Sequence, residues 1–290
     1  MFDSDYRAKP VIKWAGGKSS LMPSMMPRFP SRFSRYFEPF LGGGAVFLSL
    51  DAPVRSFVND RNPEIYLLYL VIRDQSPALM KLLDRYSLQY SEEFYYRLRA
   101  QRPRDPVRRA ARTLFLNKTG YNGLFRLNSR GGFNVPFGKR VRCPRLYDAQ
   151  NLALVANRLR KARLTNWDFE KVIARAGKGD FVYCDPPYEP LSPTSSFNSY
   201  CAGGFSRVEQ ARLKAACEAA ALRGAYIAVS NSTAPFILEL YRGWQIHKIL
   251  ARRSINSKGG SRGAIHEMLA ILDGPPRRRR SARSASPSRA

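Results

Sequence analysis

A tetrapeptide in the second half of the chain, Asp185-Pro186-Pro187-Tyr188, has residue types that suit chemistry on an aromatic amine. Such an amine is a weak nucleophile, because its lone pair is delocalised into the ring. The Asp185 carboxylate and the Pro186 carbonyl are acceptors that can bind the amine protons and return electron density to nitrogen. The two prolines restrict the backbone around that carbonyl, and Tyr188 offers a flat face for stacking.

A glycine-rich segment, FEPFLGGGAVF at 37–47, is the second place where a ligand is expected. Glycines such as Gly42 and Gly44 let a ligand approach the backbone closely. The segment is not a dinucleotide fingerprint, because Phe47 stands where the last glycine of G-x-G-x-x-G is required. Asp60 lies about 20 residues further on, at the end of the next predicted strand, where an acid can bind ribose hydroxyls.

The third segment is KWAGGK at 13–18, which lacks the spacing of a phosphate-binding loop. Trp14 can stack on an adenine group, and Lys18 can lie near a carboxylate. The alternative is a core tryptophan flanked by surface lysines.

These segments need strands that end at a common edge. Apolar runs predict strands at the start of 35–48, at 54–60, before the proline turn of 181–188, at 225–231, at about 244–252 and at 266–272. Two helix starts carry capping signals, which are Asn62-Pro63-Glu64 and the Ser206-x-x-Glu209 box before 207–222, with Gly224 past its end. This alternation predicts an α/β doubly wound domain.

The middle of the chain has a different pattern. Segments 77–88, 91–101, 105–117 and 148–161 are expected to be helical, and 117–145 is a loop or β-hairpin with seven basic residues and no acid. We therefore predict a catalytic domain made of 1–62 and 163–273, a recognition domain at 63–162 and a disordered basic tail at 274–290.

The charge of the chain points to a polyanionic partner. The net charge is +27 over 290 residues, and the six arginines of the tail leave +21 for the rest. Nucleic acid is the first candidate. Four cysteines without C-x-x-C spacing and only two histidines argue against a zinc site, a disulfide framework and a histidine-based triad. No signal peptide and no membrane span are expected.

Taken in order, KWAGGK, FEPFLGGGAVF, Asn59-Asp60, a long insert and DPPY resemble the Dam-type adenine-N6 DNA methyltransferase family. The resemblance extends to FLNKTGYNGLFRLNSRGGFNVPFG at 115–138 and RRSINSKGG at 252–260, and it covers roughly 9–272. It implies a Rossmann-like S-adenosylmethionine-dependent methyltransferase sheet with an inserted, mostly helical DNA-recognition domain containing a β-hairpin. It also implies S-adenosylmethionine as methyl donor, without a metal.

The resemblance assigns roles to individual residues. The tetrapeptide Asp185, Pro186, Pro187 and Tyr188 is the expected catalytic motif. The expected cofactor site is formed by Trp14, Lys18, Glu38, Phe40, Gly42, Gly44, Asp60 and Asp185. Direct transfer from the cofactor, without a covalent enzyme intermediate, agrees with the scarcity of histidine. Cys184 is interpreted as a core residue, because strand alternation sends it to the face opposite Asp185.

Double-stranded DNA is the expected partner, and its target adenine must be flipped out of the helix. The expected DNA-binding residues are Lys13, Asn122, Arg126, Asn134, Lys139, Arg140, Arg252 and Lys258. Arg126 is the candidate for reading guanine, with Lys13 as a second candidate. Many family members methylate GATC, but those often have Arg-Tyr where this chain has Lys139-Arg140, and lysine lacks the planar fork of arginine.

Two other functions fit the same motifs. The tetrapeptide also serves transfer to RNA amines or to a protein glutamine amide, and a regulator can keep the fold and the DNA binding without catalysis. The basic insert favours duplex DNA, and the intact tetrapeptide favours an enzyme. The resemblance implies a cytoplasmic bacterial or phage protein, associated with the nucleoid through DNA, and a monomer is expected.

Overall fold

The computed structural model describes residues 7–50, 55–128, 131–191, 205–251 and 265–274. Seven strands of this part form one sheet, and they are β1 (Tyr36–Glu38), β2 (Ser56–Asn59), β3 (Ala162–Thr165), β4 (Phe181–Cys184), β5 (Tyr226–Ser232), β6 (Gln245–Ala251) and β7 (Ile265–Leu272). Their order across the sheet is β3-β2-β1-β4-β5-β7-β6. The chain is therefore a mixed α/β protein, as predicted, and its sheet is consistent with a Rossmann-like methyltransferase.

Strand direction decides where a site can form. Strands β1 to β5 are parallel to their neighbours among these five, whereas β7 runs antiparallel between β5 and β6. The carboxyl ends of the five parallel strands therefore meet at one edge. The amino end of β7 lies at that same edge, because its residue Glu267 pairs with Ser232 at the end of β5. Ligands in open α/β sheets bind at this edge.

The helices of the described part are α1 (Met22–Met25), α2 (Ala45–Ser49), α3 (Pro63–Leu88), α4 (Glu92–Ala100), α5 (Pro106–Thr119), α6 (Ala149–Arg160), α7 (Phe169–Ile173), α8 (Arg207–Leu222) and α9 (Pro235–Leu240), with short 3-10 turns at Met26–Arg28 and Tyr121–Gly123. Both predicted capping signals are confirmed. The Asn62 side chain accepts the Glu64 amide at the start of α3, and Ser206 and Glu209 form the two bonds of a capping box at α8.

The insert between β2 and β3 consists of α3 to α6. Helix α3 packs against α5 and α6, and Arg109 on α5 lies 2.5 Å from the Glu64 carboxylate on α3. Buried Val58 of β2 belongs to the same apolar cluster as Ile65, Leu114 and Val155 of these helices. The core is thus continuous from the sheet into the insert. The division into separate domains at 62 and 163 stays a prediction.

The segment expected to be a β-hairpin is less regular than a hairpin. Two isolated antiparallel bridges join Gly120 to Phe137 and Leu127 to Phe133, without continuous strands in the described residues. Pro136 has no amide hydrogen to donate to a ladder, and the Val135 carbonyl accepts the Tyr95 hydroxyl at 2.9 Å instead. Bonds to the helical insert therefore replace part of the ladder. Residues 129 and 130, within this segment, lie outside the described residues.

Two further expectations concern the carboxyl-terminal tail and helices that could cross a membrane. Of the expected tail 274–290, all but Gly274 lies outside the described residues. In the part of the chain that the structure describes, no helix combines the length and the apolar character that crossing a membrane requires.

Candidate active site

Three acidic residues lie at the carboxyl ends of three neighbouring strands of the sheet. Glu38 is the last residue of β1, and Asp60 and Asp185 come directly after β2 and β4. On β4, Cys184 is fully buried and its Sγ lies 3.9 Å from that of Cys217, beneath the sheet face that α8 covers. Asp185 is directed to the opposite face. The interpretation of Cys184 as a core residue is confirmed.

Lys18 reaches the Asp185 carboxylate from the amino-terminal segment. Its ammonium lies 2.9 Å from Asp185 Oδ1 and 3.6 Å from Glu267 Oε2, and it also donates to the Gly16 carbonyl. Lys18 is only 2% exposed. Burial raises the pKa of Asp185 above its ordinary value, and the charge of Lys18 opposes that rise. The lysine therefore favours the ionised form of this carboxylate.

Tyr188 lies between the same charged groups. The Lys18 ammonium is 4.9 Å from the centre of the Tyr188 ring, within the range of a cation–π contact. The Tyr188 hydroxyl donates to Glu267 Oε2 at 2.7 Å. The ring is thus held both at its face and at its hydroxyl.

Side chains from α8 and β5 hold the loop that carries the tetrapeptide. The Gln210 side chain donates to the Pro187 carbonyl at 2.9 Å and accepts from the Asn231 side chain at 3.1 Å. The Ser232 hydroxyl donates to the Glu189 carbonyl at 2.7 Å. Gln210 and Asn231 are fully buried. Buried, satisfied polar groups of this kind fix a backbone in one geometry.

The glycine loop lies against the indole of Trp14. Gly42 and Gly44 have φ angles of 49° and 70°, which favour glycine. An added Cβ at Gly42 would lie 2.6 Å from Trp14 Nε1, so a larger residue would displace the indole. The Gly42 amide donates to Asp60 Oδ2 at 2.8 Å, and its carbonyl accepts the Tyr69 hydroxyl at 3.1 Å.

Asp60 and Glu38 support this loop from inside the protein. Asp60 also accepts the Asn62 amide at 2.8 Å, and burial raises its pKa to about 6. Glu38 accepts the Tyr36 hydroxyl at 2.7 Å and the Phe47 amide at 3.0 Å, and burial raises its pKa to about 8. Phe40 packs beside the loop against two other rings, Phe169 and Phe205. Every expected cofactor residue therefore lies in or beside this region.

One buried asparagine joins the cofactor side to the expected recognition segment. The Asn117 side chain accepts from the Lys13 amide at 2.9 Å and donates to the carbonyls of Lys13 and Gly123, at 2.9 and 3.0 Å. The rings of Trp14 and Phe125 also lie 5.3 Å apart. Residues 13 and 14 are thus fixed against the loop that precedes Arg126.

The expected DNA-binding residues differ in their exposure and in their partners. Arg126 is bound by Asn134, whose Oδ1 accepts from the arginine Nε at 2.8 Å. Asn122 and Lys139 are exposed and have positive φ angles of 53° and 49°. Lys13 and Arg140 are exposed as well. Arg252 and Lys258, also expected here, lie outside the described residues.

Several residues of the site were not found from the sequence: Glu267, Asn117, Gln210 and Asn231. Glu267 carried a usable signal, because it is an acid in the mostly apolar segment 265–272, IHEMLAIL, where an unpaired charge is costly. The other three are ordinary polar residues of predicted helices and strands. In the described residues no group of three or more histidine, cysteine or acidic side chains is arranged to hold a metal ion.

A family model described as D12 class N6 adenine-specific DNA methyltransferase matches residues 14–255. The chain is similar to the type II methyltransferase M1.LlaDCHI of Lactococcus lactis subsp. cremoris, with 39% identity over 270 residues, covering 90% of this chain and 94% of that protein.

Two further relatives come from distant organisms. The type II methyltransferase M.MjaIII of Methanocaldococcus jannaschii is 37% identical over 283 residues, covering 90% of this chain and 98% of its own. The DNA adenine methylase of Escherichia coli K12 is 35% identical over 264 residues, covering 90% and 94%. The similarity thus spans both the sheet and the insert.

Proposed function

The chain belongs to the D12 class of N6 adenine-specific DNA methyltransferases, and we propose that it transfers a methyl group from S-adenosylmethionine to an adenine flipped out of duplex DNA. The observation that carries this proposal is the ion pair of Asp185 and Lys18 at 2.9 Å, beside the Tyr188 ring. This contact supports the proposal because a carboxylate that can accept hydrogen bonds and a ring that can stack on a base lie together at the carboxyl end of β4.

The glycine loop and its neighbours fit the proposed cofactor. Gly42 has a positive φ, and the Trp14 indole lies against it. A ligand can approach the backbone here because glycine has no side chain. Trp14 and Phe40 supply aromatic surface, and Asp60 supplies a carboxylate for hydroxyl groups. S-adenosylmethionine, when bound, supplies a methyl group that is already activated on a sulfonium.

The chain's own residues prepare the acceptor. The Asp185 carboxylate and the Pro186 carbonyl accept hydrogen bonds from the two N–H groups of the adenine amine, which raises the electron density on its nitrogen. The Pro187 carbonyl is held by Gln210, so the loop keeps one orientation. Tyr188 stacks on the flipped base. The charge of Lys18 opposes the rise in the pKa of Asp185 that burial causes, and so favours the carboxylate, which is the form that only accepts hydrogen bonds.

The basic charge of the chain suits a duplex substrate. We propose that Lys13, Asn122, Arg126, Asn134, Lys139, Arg140, Arg252 and Lys258 contact DNA. In this arrangement Arg126 reads a guanine, and its hydrogen bond to Asn134 holds the guanidinium in place for that contact. Phosphate contacts position the duplex while the adenine leaves the stack, at a cost of a few kcal/mol.

We further propose GATC as the target, on the basis of the segment 115–138. Lys139 and Arg140 stand where family members that read GATC often have Arg-Tyr. The side chain of lysine is a point charge that reads a base less selectively than arginine does. The base pairs next to the adenine are therefore the part of the target that the residues at 139 and 140 affect most.

Replacing Asp185 with asparagine tests the proposed chemistry. The substitution keeps the shape of the side chain but adds a donor and removes the charge, so methyl transfer to DNA should fall at least about 100-fold. DNA affinity should stay within a few-fold of the wild type. Asp74→Asn, an exposed carboxylate paired with Arg73 on α3, is the matched control and should keep full activity.

The same assay separates the other functions. Transfer to RNA or to a glutamine-containing peptide in preference to DNA would contradict the proposed acceptor. Sequence-specific DNA binding by a wild-type protein that transfers no methyl group would favour a regulator.

A further inference from the structure

Glu267 is a charged residue in a strand whose other side chains are mostly apolar. It pairs in register with Ser232 of β5 and Ile249 of β6, so β7 is covered on both edges at this position. Alternation places Glu267 on the same face as Leu269 and Ile271, which are buried in the apolar cluster. A carboxylate held in such a strand needs partners that compensate its charge.

Its partners belong to the proposed active site. Glu267 Oε2 accepts the Tyr188 hydroxyl at 2.7 Å and lies 3.6 Å from the Lys18 ammonium. The side chain is 19% exposed, so water competes only in part for these contacts. The Lys18 ammonium lies between two carboxylates, 2.9 Å from Asp185 Oδ1 and 3.6 Å from Glu267 Oε2.

We propose that Glu267 is a positioning residue that fixes the direction of the Tyr188 ring axis, and so the position of the ring, for stacking on the substrate base. This inference rests on the proposed function, since it assumes that Tyr188 receives a flipped adenine. Tyrosine has two side-chain torsions, and the Lys18 ammonium on one face of the ring leaves the first torsion, which swings the ring axis, unrestrained. A charge-assisted hydrogen bond at the far end of the ring removes that freedom before the base arrives.

The contact has a consequence for the reaction. The ring that stacks on the base determines the angle at which the amine meets the Asp185 carboxylate. A loose ring lets the base tilt, and small misplacements of reacting groups cost rate more than affinity. Glu267 therefore acts on kcat through Tyr188, while it does not itself touch the base.

Two variants separate the hydrogen bond from the charge. Glu267→Met removes the acceptor and keeps similar volume, and Glu267→Gln keeps an amide oxygen that can still accept the Tyr188 hydroxyl. Tyr188→Phe removes the hydroxyl and keeps the ring. The matched control is Glu239→Gln, because Glu239 on α9 forms an exposed ion pair with Arg242. Thermal unfolding and calorimetric binding of S-adenosylmethionine check that each variant is folded and binds the cofactor.

The readouts are kcat, KM for DNA, and fluorescence of a duplex with 2-aminopurine in place of the target adenine. We expect Glu267→Met and Tyr188→Phe each to lower kcat by roughly 10- to 100-fold. The double variant should be no slower than either single one, and Glu267→Gln should recover most of the rate. The 2-aminopurine signal should be brighter with Glu267→Met than with the wild type, because stacking is lost.

The opposite pattern would overturn the inference. It fails if Tyr188→Phe keeps the wild-type rate, or if Glu267→Gln is as slow as Glu267→Met, because the charge near Lys18 would then be what matters. It also fails if Glu267→Met raises KM with kcat unchanged. A wild-type protein that methylates no DNA in this assay removes the proposed function, and the inference with it.

Discussion

The ammonium of Lys18 lies 2.9 Å from Oδ1 of Asp185, although 166 positions of the sequence separate the two residues. The lysine is almost completely buried, and the carboxylate is partly so. Burial of one charge is tolerated because the other lies beside it. The pair therefore joins the amino-terminal segment to the loop after β4, and the charge of Lys18 opposes protonation of the Asp185 carboxylate.

Replacing Lys18 with methionine should shift the pH dependence of methyl transfer. Burial already raises the pKa of Asp185, and Lys18 opposes that rise. Without the ammonium the pKa of Asp185 rises further. The acid limb of the plot of kcat against pH should therefore move to higher pH, and activity should fall most at the low-pH end. Activity measured across a pH series with saturating substrates checks this. Lys214→Met, which breaks a lysine–glutamate pair on α8, should leave the limb in place.

Gly42→Ala should weaken binding of S-adenosylmethionine. The added Cβ would lie 2.6 Å from Trp14 Nε1, so the indole has to move, and the positive φ adds strain of about 1–2 kcal/mol. Gly243→Ala is a matched control, because Gly243 has φ 89° and an added Cβ meets nothing within 4 Å. Calorimetric titration should show at least a roughly tenfold weaker affinity for Gly42→Ala alone. Equal affinities for both variants would show that Trp14 does not contribute to the cofactor site.

Glu38→Gln should change how stability depends on pH. Burial raises the pKa of Glu38 from an ordinary 4.5 to about 8. The folded protein therefore holds a proton here that the unfolded chain loses, and this contribution is complete below pH 4.5 and lost as pH rises through about 8. Relative to the wild type, Glu38→Gln should gain roughly 2–5 kcal/mol of unfolding free energy between pH 5 and 9.

Urea unfolding of both proteins at the two pH values measures this difference. The variant keeps an oxygen that can accept the Tyr36 hydroxyl, so any loss of packing is the same at both pH values and cancels. A constant difference between the two proteins over that range would contradict a raised pKa at Glu38.

Asn117→Asp should destabilise the protein. The substitution keeps the acceptor for the Lys13 amide but removes the donor to the carbonyls of Lys13 and Gly123, in a fully buried position. Unfolding free energy at pH 7.5 should fall by about 2–5 kcal/mol, because two buried carbonyls lose their partner and a charge is buried. Asn157→Asp, on the exposed face of α6, should have little effect. Equal stability of the two variants in urea would contradict the bridging role of Asn117.

Much of the sheet edge could be predicted from sequence, because local signals specify it. The tetrapeptide follows an apolar run that forms β4, and the glycines after β1 must turn with positive φ, so Asp185 and Gly42 meet at one edge once the strands are parallel. The capping residues Asn62 and Ser206 begin their helices as expected, since a cap depends only on residues within one turn.

The parts that sequence did not reveal depend on distant partners. Glu267 became part of the site only because β7 inserts antiparallel between β5 and β6, which brings its amino end to the same edge. Strand β3 is short and carries an exposed Arg163, so its apolar pattern is weak. A loop or β-hairpin was expected at 117–145 from its turn residues, and Tyr95 of α4 binds the backbone of that segment.

Methyl transfer to DNA tests the central proposal most directly. The protein is incubated with S-adenosylmethionine and DNA from a host without adenine methylation, and modified bases are mapped by single-molecule sequencing. We expect N6-methyladenine in one short motif, GATC as proposed, and at least about 100-fold less of it with Asp185→Asn. Unmodified adenine throughout, from a protein that binds S-adenosylmethionine in calorimetry, would contradict the account.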